Sequence, residues 1–451
     1  MNRALAKKIA HDRHARDRAQ ARRNKRTTRR GPSLRKDGKP KKENQPLDVW
    51  PETTIRAYGT TSINIPIPRT FSLITNPEQT LKTLIGLRRV LSLKSLEQVS
   101  LDYSNCESLD LCASVVQDVL ALRGRRQAKF RGRNIAVNGK FSKRPQIDLM
   151  IVSSGILKRL HHPISKAVPK EILDRLRFSP LRIGTPSPPD ITSKTELAAS
   201  ELAEFFDDCL RTERHHLKPV WKSNLIQLIT EVLDNAEEHA SGERLWHTIG
   251  YYNRNEAPEE GGECHIVLFN FGDTIYQSLN RPDTSPALKK QIGDLANEHK
   301  SKGYFAILGK YFDLLVPIWQ EESLWTLYAL QEGVSRFTNK PEGIDRGNGT
   351  VKMIEFFSDL ASGQPKMALL SGKTHILFDG KYRISPVTVN GESRKVIAFN
   401  DQNDLRERPD PAYVRTLSSS FPGTLISLRF QLRQSDLAEI REKLYPNEQG
   451  N

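Results

Sequence analysis

The chain has 451 residues, 37% hydrophobic and 27% charged, with a formal net charge of +16. Such a length exceeds one ordinary core, and such a composition is that of a soluble protein of two or three domains. No run approaches the roughly 18 consecutive apolar residues of a membrane span, so a cytoplasmic protein with no membrane contact is expected.

The charge is uneven. Residues 1–46 carry seventeen Lys and Arg against four acids, which leaves the remaining chain close to neutral. A block so poor in apolar residues cannot bury enough surface to fold alone, so a disordered basic tail is expected. The tail lacks the apolar segment of a secretory signal. Phosphate contacts that release counterions make nonspecific nucleic acid its natural partner, and an acidic protein the alternative. No aromatic residue precedes Trp50, so sequence-specific reading of bases is not expected. Cys106, Cys112, Cys209 and Cys264 form no CxxC pair, which fits reduced thiols and argues against zinc.

A Pro/Thr-rich linker follows, with β-branched alternation near Ser62 to Ile67. Residues 69–181 alternate between helical and extended patterns. Helices are expected over Pro77 to Ser92, Leu111 to Arg123 and Ile147 to Leu160, and strands over Gln98 to Tyr103 and Arg133 to Asn138. Strands separated by helices imply a mixed or parallel sheet. Residues 163–193 are rich in Pro, Ser and Thr and suggest a linker. A second folded unit is expected over 194–433, with a C-terminal helix or tail over 434–451.

The strongest signal is Ser223 to Ala240. Leu225, Leu228, Ile229, Val232, Leu233 and Ala236 mark one apolar helix face, and Glu231, Asn235 and Glu238 mark another stripe. The strand His265 to Phe269 runs into Asn270-Phe271-Gly272-Asp273-Thr274. The glycine-rich turn Arg346-Gly347-Asn348-Gly349-Thr350 precedes the helical pattern Val351 to Leu360, and Pro422-Gly423-Thr424 opens a last strand to Leu428.

Taken in order, these segments resemble the nucleotide-binding motifs of GHKL proteins (gyrase, chaperone, histidine kinase, MutL). Glu231, Asn235 and His239 resemble the N box, Asn270 to Thr274 the G1 box, Arg346 to Thr350 the G2 box, and Gly423-Thr424 the closing Gly-Thr. The resemblance implies a two-layer α/β sandwich holding ATP through Mg2+. Asn235 would ligate the magnesium ion and Glu231 would act as general base on the attacking water. His239, Gly272, Gly347, Gly349, Thr350 and Thr424 would line the nucleotide, with Arg346 adding charge at the phosphates. Asn270 stands where aspartate is usual and would accept the adenine amino group without charge, with Asp273 as the alternative contact. Tyr276 to Asp345 would form a mobile lid, with helices over Pro286 to His299 and Leu324 to Arg336. Strands over Lys366 to Ser371 and Lys373 to Asp379 are expected to turn at Gly372.

Residues 69–181 resemble a STAS domain, carried by the strand Val99 to Asp110 and the later Asn138 to Ile156. In that family a serine after the aspartate can be phosphorylated; here Leu111, Cys112 and Ala113 follow Asp110, so the module would bind a protein rather than switch. The whole is thus expected to be α/β (α+β), with a smaller STAS-like domain before the larger unit.

Ser371-Gly372-Lys373-Thr374 contains GKT but lacks the earlier glycine of a P-loop and leads into a strand. The adjacent pairs His161-His162 and His215-His216 are expected to be surface residues. Three functions share the GHKL resemblance: an ATPase-driven conformational switch, an anti-sigma-like serine kinase or partner-switching regulator, and a non-hydrolysing ATP sensor. The first is the leading expectation, and homodimerisation stays open. A sensor histidine kinase is disfavoured, because a Pro-rich linker occupies the place of its dimerisation helices.

Overall fold

The computed structural model describes residues 61–154, 174–185, 193–239, 245–309, 321–332, 334, 349–360, 366–389, 392–433, 435 and 437. The basic tail, the pair His161-His162 and nearly all of 434–451 lie outside them.

In chain order the elements are β1 (Ser62–Pro66), β2 (Thr70–Phe71), α1 (Pro77–Leu91), β3 (Gln98–Asp102), β4 (Ser108–Leu109), α2 (Leu111–Phe130), β5 (Ala136–Lys140) and α3 (Pro145–Ser153). Then come β6 (Leu176–Gly184), α4 (Lys194–Thr212), α5 (Pro219–His239), β7 (Trp246–Arg254), β8 (Gly262–Phe271), α6 (Ile275–Leu279), α7 (Pro286–Gly309) and α8 (Glu321–Ala329). The last are α9 (Gly349–Leu360), β9 (Lys366–Phe378), β10 (Ser385–Val389), β11 (Glu392–Val396) and β12 (Val414–Leu432). The architecture is mixed α/β, with parallel and antiparallel sheets in one chain.

The first elements follow their local chemistry. Pro77 opens α1, where its missing N–H costs nothing, and Leu81, Leu84, Leu87 and Leu91 bury one face. Asp110 caps α2 by accepting from the Ala113 amide at 2.7 Å, and it also accepts from the Ile74 amide at 3.2 Å. Asp110 is therefore a buried helix cap. Strands β1, β3 and β5 form a parallel sheet in the order β1-β3-β5, with Ile65 opposite Leu101. Helices α1 and α2 meet at Gly124, where any Cβ would press within 2.9 Å of the Leu91 side chain.

The larger sheet has five strands in the order β6-β7-β8-β12-β9, and every neighbouring pair is antiparallel. Both of its faces are buried, so β8 is buried at nearly every residue and carries the apolar run Ile266–Phe269 rather than an alternating pattern. Ile266 and Leu268 point to the face that carries α4, α5 and α9. Val267, Phe269 and Phe271 point to the opposite face and share one core with α1, α2 and the parallel sheet. The Arg123 guanidinium of α2 lies 5.0 Å over the Phe271 ring. Three buried histidines, His247, His265 and His375, stand on that second face. His247 stacks on Phe269 with centroids 4.4 Å apart, and the His375 Nε2 lies 3.1 Å from the Leu73 carbonyl oxygen.

Three local expectations are corrected. The stretch 163–193 holds the edge strand β6, and the ladder to β7 breaks register between Ser179 and Arg182, around Pro180, the residue that cannot donate. No hairpin turns at Gly372, because β9 runs unbroken from Lys366 to Phe378. Gly372 instead takes φ +58 and shifts the alternation by one residue: Met367 and Leu369 face α5 before it, and Ile376 and Phe378 do so after it. The partner β12 shifts register at the same place, between Phe421 and Thr424. Finally, the helices of the expected lid form a small core of their own, with Leu279, Leu288, Ile292, Leu324, Trp325 and Tyr328. Helix α7 continues past His299 to Gly309, and α8 starts and ends earlier than expected.

Candidate functional site

Helix α5 owes its placement to two flanks. On one, Asp234 accepts from the Thr195 hydroxyl of α4 at 2.7 Å, and Lys222 pairs with Glu204 of α4 at 2.6 Å. On the other, Trp221 packs against Phe356 of α9, with centroids 5.5 Å apart. Trp221 thus marks the side of α5 that meets α9, and Asn235, two heptads further on, lies at the edge of the buried stripe and is exposed. Glu231 lies one turn before Asn235. Asn235 is exposed and its carboxamide bonds no other described residue, so its oxygen is available to a cation. Glu231 is half-buried and accepts from Gln227 at 3.3 Å.

Beneath the C-terminal turns of α5, a row of side chains crosses the sheet. The pairing sets Trp246, Asn270, Thr424 and Ser371 side by side on four adjacent strands. The Trp246 indole donates to Glu237 of α5 at 2.7 Å. Asn270 donates to the Ala236 carbonyl at 3.5 Å and accepts from the Thr424 amide at 3.1 Å. The carboxamide thus ties the helix, β8 and β12 together one residue from Asn235. Thr424 and Ser371 hydroxyls lie 3.0 Å apart, and the Ser371 hydroxyl accepts from the Ile275 amide at 2.9 Å.

Two glycines make this junction possible. Gly423 has φ +145, and a Cβ there would overlap the Asn270 carbonyl, so only glycine brings β12 close enough for the Thr424–Asn270 bond. At Gly372 a Cβ would overlap the Glu322 carboxylate, which accepts from the Lys373 amide at 3.0 Å. Burial raises the Glu322 pKa above the ordinary glutamate value. This carboxylate fastens α8 to β9 beside the row.

No protein family, curated protein or solved structure matches this chain.

The expected site residues therefore divide into groups. Asn270 and Thr424 come together at one end of the sheet beneath Ala236, with Asn235 the neighbouring residue on α5 and Glu231 one turn earlier. Asn270 is 3% exposed and its amide is engaged at both ends, so an adenine amino group would need the second lone pair of its oxygen. Gly272 donates its amide to the Pro422 carbonyl at 3.0 Å, which holds the turn after β8 against the start of the closing strand. Asp273 is paired with Arg281, which removes it from the row. His239 is the last residue of α5, and its side chain lies outside the described residues, as do Arg346 and Gly347. Gly349 and Thr350 open α9, the helix that meets α5 at Trp221. Sequence reasoning missed Ser371, Trp246 and Glu237. Ser371 was discounted with the false P-loop, although its spacing to Thr424 across a strand pair is a signal that only the register reveals.

Among the described residues, no three His, Cys, Asp or Glu side chains gather as a metal site. The magnesium expectation needs no such cluster, because one carboxamide and the phosphates would supply the ligands. The free, exposed amide of Asn235 fits that demand.

Proposed function

We propose that this chain binds ATP with Mg2+ in a GHKL-type domain and couples nucleotide turnover to a conformational switch. One observation carries the reading. Asn270 and Thr424, far apart in sequence, meet at one end of an antiparallel sheet directly beneath Ala236, the residue next to the exposed Asn235 on α5. The helix layer of α4, α5 and α9 on one face of the sheet supports the resemblance, while the opposite face, covered by α1 and α2, departs from a two-layer sandwich.

In this reading Asn235 ligates the ion, and the ion neutralises phosphate charge. The amides that open α9 face the phosphates. Glu231, one turn from the ligand, orients and deprotonates the attacking water. The switch would start at Ser371, whose hydroxyl joins Thr424 to the first amide of α6. A ligand touching that hydroxyl pair disturbs the start of the α6–α8 group.

Calorimetric titration of the purified chain with ATP and Mg2+, followed by phosphate release, tests this. Asn235→Ala should weaken Mg2+-dependent ATP binding on the order of a hundredfold. Glu231→Ala should keep binding and lose turnover by about a hundredfold or more. Undiminished affinity in Asn235→Ala sinks the site. Labelled phosphate appearing on a protein would favour the kinase reading, and an ATP-dependent shape change without turnover would favour the sensor.

A further inference from the structure

Outside the tail, basic residues are concentrated in one place. Between Asp118 and Asp148 lie nine Lys and Arg and no acidic residue. The structure places this stretch at the C-terminal end of α2, along the edge strand β5 and into the start of α3. Arg126, Lys129 and Phe130 share one face of the last turns of α2, at spacings of three and four. Arg131 follows at once, the chain reverses at Gly132 with φ +73, and β5 leads to Lys140 and then Lys143.

Exposure makes this more than a solvated helix end. Phe130 is 86% exposed, the highest value of any large apolar side chain described. Arg126, Lys129, Arg131 and Lys143 are exposed, and none is paired with an acidic side chain among the described residues. Along β5 the outward residues Ala136, Asn138 and Gly139 are small or polar, leaving a low path of about 16 Å at strand rise between the two basic ends. An aromatic ring held in water between cations is costly unless something planar covers it.

We propose that this ridge binds single-stranded nucleic acid, with phosphates along Arg126, Lys129, Arg131 and Lys143 and one base stacked on Phe130. Charge complementarity fits the backbone, and the lone exposed ring fits a base face with no requirement for sequence. A duplex keeps its bases stacked internally and cannot offer one to Phe130. The ridge is independent of the nucleotide site, so either proposal can fail alone.

The test uses the full chain and fluorescence anisotropy with a labelled oligo(dT), an abasic oligomer of equal length and a duplex. The tail has no aromatic residue before Trp50, so it can bind all three by charge but cannot stack. Phe130→Ala should weaken oligo(dT) binding about tenfold, leave abasic and duplex binding unchanged, and be rescued by Phe130→Tyr. The variant R126Q/K129Q/R131Q/K143Q should weaken oligo(dT) and abasic binding alike and flatten the salt dependence by up to about three units of logarithmic slope. Equal affinity of wild type and Phe130→Ala for oligo(dT) overturns the proposal. So does a Phe130→Ala loss seen only on phosphatidylserine vesicles, which would assign the ridge to an anionic membrane.

Discussion

Acidification from pH 7 to pH 5 should loosen the face of the five-stranded sheet that meets α1 and α2, through His247 and His375. Both side chains are fully buried. Burial, reinforced by the nearby Arg123 charge, lowers the His247 pKa to about 3. Burial, with Arg415, lowers that of His375 to about 4. An unfolded histidine titrates near 6.5. Folded-state values below that reference mean that the unfolded chain binds more protons between pH 6.5 and 4. Stability is therefore complete above pH 6.5 and declines as pH falls. From pH 7 to pH 5 each unfolded histidine gains about 2 kcal/mol from protonation that the folded one does not, so the pair costs about 4 kcal/mol. That is a large part of the roughly 5–15 kcal/mol of an ordinary domain. Urea unfolding followed by circular dichroism at half-unit pH steps measures it. His247→Phe keeps an aromatic ring against Phe269 and should remove about 2 kcal/mol of the pH 7 to 5 decline. An unaltered pH dependence in that variant refutes the reasoning.

Gly423→Ala should destabilise by about 2 kcal/mol, since the new Cβ meets the Asn270 carbonyl at a φ that alanine rarely adopts; urea midpoints will show it. Asp110→Ala should cost about 1–2 kcal/mol, because it strips the cap of α2 and leaves the buried Ile74 amide only its bond to the Ser72 hydroxyl, while Asp110→Asn should recover part of the loss. Asn270→Asp replaces the donor to the Ala236 carbonyl with a carboxylate and should cost about 2 kcal/mol in the absence of nucleotide. A stability change under 0.5 kcal/mol there would show that the carboxamide does not hold helix to sheet.

The parts of the fold legible in the sequence were those with a strong local cause. Pro77 and the leucine spacing placed α1 to within a residue, and the expected parallel sheet did form, although its strand β1 comes from the stretch before residue 69 that was expected to be a linker. Helix α2 runs seven residues past Arg123 because its last turns are exposed and basic, and apolar periodicity cannot detect a helix that has left the core. Strand β6 hid in a Pro/Ser/Thr-rich stretch because an edge strand tolerates Pro180 at a register break. At Gly372 a local turn signal lost to tertiary pairing, since β12 supplies a matching irregularity and the strand passes through. Of the candidate site, the helix stripe at Glu231 and Asn235 was legible from spacing alone. The row of Trp246, Ser371 and Thr424 was not, because cross-strand neighbours depend on a register that three separate loops determine.

The departure at Asn270 follows from that row. An aspartate there could accept from the Thr424 amide but could not donate to the Ala236 carbonyl, and its charge would sit almost fully buried. Asparagine satisfies both neighbours without charge, so it closes the seam between α5 and the sheet at the residue next to Asn235. The carboxamide that ties helix to strand and the carboxamide proposed to hold the ion are therefore mechanically joined. Two hydrogen bonds connect β12 at Gly423-Thr424 to the end of α5 through Asn270, and the Ser371 hydroxyl connects Thr424 to the first amide of α6. The same side chains that would touch a nucleotide thus connect the helix layer, the closing strand and the α6–α8 group, and a switch needs that connection wherever its partner binds.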